Sequence, residues 1–132
     1  MTRYLLDSDA VVDYLKGFAS TVTFISQLGA DGHQFCTCDV IECETFSGTP
    51  LPQRPATEQL LDALEYLETS RQAARQAGMW RNTYRSRGIQ LSTSDCLIAA
   101  TAHQHGIPLI TANPRDFPMP EVTILPLPRA RV

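Results

Sequence analysis

Short apolar runs alternate with stretches of helical period along this chain. Tyr4-Leu5-Leu6 is a compact apolar run that stops at Asp7-Ser8-Asp9, which reads as a buried strand delivered into a helix start. Residues 10–16 predict a short helix closed by Gly17, the residue favoured just past a helix end. A second helix fits residues 21–28, ahead of the turn residues Gly29, Asp31 and Gly32, and residues 34–38 then read as a strand. Asp39 is placed to cap the next helix, with Glu42 as its capping-box partner and Gly48 at its end.

Residues 49–55 carry three prolines and predict a loop. Leu60, Leu61, Leu64 and Leu67 recur at helical spacing, so residues 57–67 predict a helix, with Tyr66-Leu67 as a short strand in the alternative. Residues 70–87 form a polar helical stretch closed by Gly88, with Gly78 as a potential break. Ser92 is set to cap a helix running to Gln104, and Asp95 in its first turn suits the helix dipole. Residues 107–110 and 122–125 complete a set of four strands. Strands alternating with helices predict an α/β fold, a three-layer α/β/α sandwich on a mainly parallel sheet. No repeat or linker divides the chain, so residues 1–132 are expected to form a single domain.

Composition narrows the function. No apolar run approaches the roughly 20 residues that span a bilayer, and only two leucines precede Asp7, so no signal peptide or membrane association is expected and the protein is read as cytoplasmic. The four cysteines contain no CxxC pair and read as buried packing residues. His103 and His105, two apart on a helix, read as favourable cations near its C-terminus. A net charge of −3 lacks the basic excess of many nucleic-acid binders, yet Arg71, Arg75, Arg81, Arg85 and Arg87 gather in one stretch. No Walker glycine loop or GxSxG is present, which argues against a nucleoside triphosphatase or an acyl hydrolase.

The carboxylates carry the remaining chemistry. Open parallel sheets bind ligands beyond the carboxyl ends of their strands. Asp7 ends the first strand, Glu44 lies on the helix leaving the second, and Asn113 and Asp116 follow Ile110-Thr111. Asp95, at a helix start, is a further candidate to project into the same crevice. Gathered carboxylates repel one another unless a hard cation joins them, and such a cation serves phosphodiester hydrolysis. Each residue also has a plainer reading: Asp7 as a helix cap, Glu44 as a solvated helix side chain, Asp95 as a dipole partner, Asp116 as part of a turn begun by Asn113-Pro114. Spacing alone leaves both readings open.

Three segments carry a family resemblance. Leu5-Leu6-Asp7-Ser8-Asp9-Ala10-Val11-Val12-Asp13-Tyr14-Leu15-Lys16-Gly17 is the first, and Cys38-Asp39-Val40-Ile41-Glu42-Cys43-Glu44-Thr45-Phe46-Ser47-Gly48 the second. The third is Leu91-Ser92-Thr93-Ser94-Asp95-Cys96-Leu97-Ile98-Ala99-Ala100-Thr101-Ala102, followed by Gly106-Ile107-Pro108-Leu109-Ile110-Thr111-Ala112-Asn113-Pro114-Arg115-Asp116-Phe117. Together they resemble the PIN-domain family, in its VapC-like branch, the toxin half of a type II toxin–antitoxin pair.

The resemblance implies a metal-dependent endoribonuclease holding magnesium or manganese through Asp7, Glu44, Asp95 and Asp116. Glu44 is selected over Glu42 because it stands four residues before Gly48. The fourth position lies open between Asn113 and Asp116, with Asp116 favoured, and Asn113, Thr111 and Ser8 are auxiliary. Asp9 stands where the family often has Asn, and either adds charge to the site or merely caps. The resemblance further implies an RNA substrate, a cognate antitoxin whose basic side chain engages the carboxylates, and a homodimer. Arg81, Arg85 and Arg87 are then candidates for the RNA backbone, and residues 126–132, with Arg129 and Arg131, form a tail or a dimer contact. The competing readings are a non-catalytic PIN-fold interaction module and a nuclease of the same fold acting on DNA.

Overall fold

The structure is a computed structural model that describes residues 1–128, so Arg129 and Arg131 of the expected tail or dimer contact lie outside the described residues. Five parallel strands form one sheet in the order β3-β2-β1-β4-β5. They are β1 (Arg3–Leu6), β2 (Gln34–Cys38), β3 (Glu65–Leu67), β4 (Leu109–Thr111) and β5 (Ile124–Pro126). The helices are α1 (Ser8–Leu15), α2 (Ala19–Ala30), α3 (Asp39–Ser47), α4 (Arg54–Asp62), α5 (Arg71–Ser86) and α6 (Thr93–His105). The chain steps from β1 to β2 to β3, then returns across the sheet to β4. Right-handed crossovers therefore put α1 to α4 on one face and α5 and α6 on the other. The winding reverses between β1 and β4, and the carboxyl ends of those two strands open onto the crevice where such sheets bind ligands.

The core follows from the apolar pattern. Leu5, Cys36, Leu109 and Ile110 are fully buried on the central strands, with Val11 and Ile41 over one face and Ile98 and Ala99 over the other. On α5 the buried residues Ala73, Ala77, Trp80 and Tyr84 follow helical spacing and make one stripe. That stripe packs on α6, which buries a continuous run from Ile98 to Ala102. The small residues on both helices allow close approach. Gly106, at φ +63°, ends α6 in the left-handed conformation, and its N–H joins the closing hydrogen bonds.

Several expectations are corrected. The prolines of residues 49–55 do not keep that whole stretch irregular: a 3-10 turn covers Leu51–Gln53, and α4 begins at Arg54 with Pro55 in its first turn, where no N–H is required. Helix α4 stops at Asp62 rather than 67, and Glu65–Leu67 takes the strand alternative, pairing with β2 as a fifth strand at the sheet edge. The Asp39–Glu42 capping box does not form, because Cys38 occupies the cap position and no side chain caps it. Helix α5 runs unbroken through Gly78. A Cβ at Gly78 meets nothing within 4 Å, so Gly78→Ala is expected to raise stability by about 1 kcal/mol, read as a higher urea midpoint.

Candidate functional site

Asp7 is placed by the sheet itself. Its N–H donates to the Ile110 carbonyl at 2.9 Å, carrying the β1–β4 ladder one step beyond the strand. The side chain is 6% exposed. One oxygen accepts from the Ser8 N–H at 2.8 Å, and the other accepts from the Thr111 hydroxyl at 2.8 Å. Asp7 therefore does cap α1, and it also stands at the mouth of the crevice. Burial, then the neighbouring Asp9 carboxylate and, more weakly, Asp95, push its carboxyl up to about 7, against the pull of its two hydrogen bonds.

Thr111, fully buried at the end of β4, links this group to the next. Its hydroxyl lies 2.8 Å from Asp7 and 3.2 Å from Asp9, so its single proton serves one carboxylate at a time. The Asn113 N–H donates to the same hydroxyl at 3.1 Å. Asp9 Oδ2 also accepts from the Ala112 N–H at 3.1 Å and from Asn113 Nδ2 at 2.7 Å. Two residues at the start of α1 are thereby tied to the chain leaving β4.

The other acids come from three further elements. Glu44, half-buried on α3, accepts from the Ser8 hydroxyl at 3.2 Å. Asp95 lies in the first turn of α6, whose cap is formed by Ser92 accepting from the Asp95 N–H at 3.1 Å. Burial raises the Asp95 carboxyl, the Ser92 hydrogen bond opposes it, and the charges of Asp116, Glu44 and Asp9 add to the rise. Asp116 is exposed at the end of a 3-10 turn, Pro114–Asp116. The acids singled out in the sequence thus lie within one another's fields at the carboxyl end of the sheet. Among the described residues, no three acidic, histidine or cysteine side chains close to metal-ligand spacing.

This donor set suits a hard divalent cation. The side chains are carboxylates and hydroxyls, and the described influences on Asp7 and Asp95 include no cation to offset the charge. Buried thiols play no part: burial pushes Cys36 and Cys38 up to about 11, in keeping with packing residues. His103 packs against Trp80 in the last turn of α6.

The arginines divide. Arg81 Nε donates to the Leu91 carbonyl at 3.1 Å and braces the segment that leads into α6. Arg87 lies over the Tyr84 ring, 5.3 Å from its centroid, while Arg85 is exposed in the last turn of α5. The sequence flagged Asp9 only as cap or added charge. Its partners on the far side of β4 lie more than 100 residues away, and no local pattern reveals them.

Comparison with known proteins agrees with this geometry. The family description "PIN domain" matches residues 4–121. Ribonuclease VapC19 of Mycobacterium tuberculosis is 29% identical over 115 residues, covering 87% of this chain and 92% of that protein. Among solved structures, a DNA-bound VapBC from Salmonella typhimurium superposes with a TM-score of 0.80 at 22% identity, covering 96% of this chain and 99% of that one. A toxin–antitoxin complex from Klebsiella pneumoniae gives 0.73 at 25% identity, covering 91% and 95%.

Proposed function

The chain belongs to the PIN-domain family, and from that premise we propose that it is a metal-dependent endoribonuclease, the toxin of a VapBC-type toxin–antitoxin module. The observation that carries this reading is the buried Asp7 carboxylate at the switch point, tied through the Thr111 hydroxyl to the exit of β4, with Asp9 and Asp95 the charges that act on it. Structural acids normally gain a positive partner, whereas a carboxylate held among carboxylates is a functional arrangement.

Asp7, Glu44 and Asp95 are the residues proposed to hold magnesium or manganese, with the fourth position at the exit of β4 open, in part through water, since among the described residues no three reach direct ligand spacing. When bound, the cation supplies an activated water and positive charge against the phosphodiester's developing negative charge. The chain's own groups prepare the place. The Thr111 hydroxyl and the Ser8 N–H fix the plane of the Asp7 carboxylate, and the Ser8 hydroxyl orients Glu44. Burial excludes bulk water from Asp7 and strengthens every charge interaction there.

The partners follow from the same chemistry. An RNA backbone brings phosphates to the crevice, and an antitoxin's basic side chain offsets the same carboxylates when the enzyme is silenced. A homodimer in the cytoplasm, with the whole chain as one unit, completes this reading. Among the described residues no helix is long and apolar enough to cross a membrane.

Of the arginines, Arg85 is exposed in the last turn of α5 and is the one proposed for a phosphate contact. Arg85→Ala is expected to weaken RNA binding uniformly across sequences and to lower the salt slope by about 1. Arg81→Ala should instead cost about 1 kcal/mol of stability through its lost carbonyl hydrogen bond. Binding titrations at several salt concentrations, beside urea unfolding, separate the two.

Presenting RNA, single-stranded DNA and a phosphomonoester to the manganese-loaded protein tests the proposal. Preferential RNA cleavage abolished by chelator is expected. Equal cleavage of DNA would move the assignment to a general nuclease, and inertness on all three in a protein that binds manganese would favour an interaction module.

A further inference from the structure

Asp9 is braced more heavily than a helix cap requires. Its Oδ2 accepts from Asn113 Nδ2 and the Ala112 N–H, and it shares the Thr111 hydroxyl proton with Asp7. None of these donors belongs to α1, and α1 is already capped by Asp7. The bonds therefore do not serve the helix start. They hold an acidic side chain at the exit of β4, beside the buried Asp7.

A purely structural brace has no use for the negative charge. An asparagine oxygen accepts hydrogen bonds from the same donors without repelling Asp7. The charge of Asp9 costs the metal-free fold something, because Asp9 Oδ2 and Asp7 Oδ2 face the one Thr111 hydroxyl, at 3.2 and 2.8 Å, and its single proton serves one of them at a time. It also acts on Asp95. Asp116 is exposed, and its charge is felt at Asp95 but is not among the described influences on Asp7. The Asn113 amide at 2.7 Å and the Ala112 N–H at 3.1 Å hold the Asp9 carboxylate in place at the exit of β4. A bound cation turns that cost into a gain.

We propose that Asp9, rather than Asp116, is the carboxylate that completes the metal site, and that Asn113 is its positioning residue. The inference rests on the reading of this crevice as a metal-dependent ribonuclease site. Asp9 and Asn113 form an acid–amide pair at 2.7 Å. Exchanging the two residues preserves a hydrogen bond between them and keeps one negative charge in the pair.

The test is manganese titration by calorimetry on full-length wild type, Asp9→Asn, Asp116→Asn and the exchange variant Asp9→Asn/Asn113→Asp, each with thermal unfolding in chelator. Asp9→Asn is expected to weaken manganese binding at least about tenfold, the scale seen when groups around metal ligands are lost. Its metal-free unfolding temperature should equal or exceed that of wild type. The exchange variant is expected to recover most of the affinity, and Asp116→Asn to stay within about threefold of wild type, below the tenfold scale of such losses.

Unchanged affinity in Asp9→Asn overturns the inference, as does an equal loss in Asp116→Asn. A lowered metal-free unfolding temperature in Asp9→Asn, with no recovery in the exchange variant, marks a structural brace and overturns it too. If wild type binds manganese and Asp7→Asn does not, while Asp9→Asn is unaffected, only this inference fails. If wild type binds none, the ribonuclease-site reading fails with it.

Discussion

Asp7→Asn is expected to reduce RNA cleavage at least about a hundredfold, beyond the 10–100-fold typical for groups that merely support a metal ligand, while leaving the metal-free protein at pH 8 no less stable than wild type. The two effects share one cause. In the metal-free fold the Asp7 carboxyl is pushed up to about 7, first by burial and then by the Asp9 charge. At pH 8 it is mostly ionised in an environment that opposes ionisation, and asparagine removes that charge. The substitution also gives up one acceptor, because Asp7 takes hydrogen bonds on both oxygens. Thr111 limits this loss: its hydroxyl proton can turn to Asp9, 3.2 Å away, leaving its oxygen to accept from the new amide. An inactive variant that folds as well as wild type separates chemistry from structure, and urea unfolding beside a cleavage assay reads both.

The metal-free wild type should lose stability as pH rises. A carboxyl whose folded value is about 7, against 3.8 for an ordinary aspartate, contributes fully below about 4, and its contribution is lost as pH climbs toward and through 7. From that displacement the loss attributable to Asp7 is at most about 4 kcal/mol. Asp95, raised chiefly by burial, acts in the same direction. The cleanest reading is the difference between wild type and Asp7→Asn in urea unfolding at pH 4 and pH 8 with chelator present. Wild type should fall relative to the variant as pH rises. Manganese at 100 times its Kd should restore about 2.7 kcal/mol at pH 8, and less at pH 5, where protons compete for the same carboxylates. A wild type whose advantage over Asp7→Asn grows with pH in chelator would contradict this account of the crevice.

What could be read from sequence, and what could not, divides along local and distant interactions. Asp7 was legible because a three-residue apolar run stops at an acid, the signature of a strand feeding a helix. Asp95 was legible from Ser92 three residues before it, and the cap forms as expected. The stripe of α5 and the Gly106 terminator of α6 follow from spacing and glycine chemistry alone. Strand β3 was ambiguous because Leu60, Leu61, Leu64 and Leu67 continue a helical period into a segment that pairs with β2. Only the sheet partner decides between the two. Pro55 signalled a loop when read by itself, and a helix first turn once four following residues are counted with it.

The site shows the same division. Which acids gather was visible at strand ends and in the family-like segments. How Thr111, Ala112 and Asn113 hold Asp9 was not, since those bonds join residues more than 100 positions apart.

The central claim meets its most direct test in one measurement: total cellular RNA incubated with purified wild-type protein, first in chelator and then after manganese is restored. The account predicts intact RNA in chelator and discrete fragments once manganese is present. Cleavage that persists undiminished in chelator would contradict it.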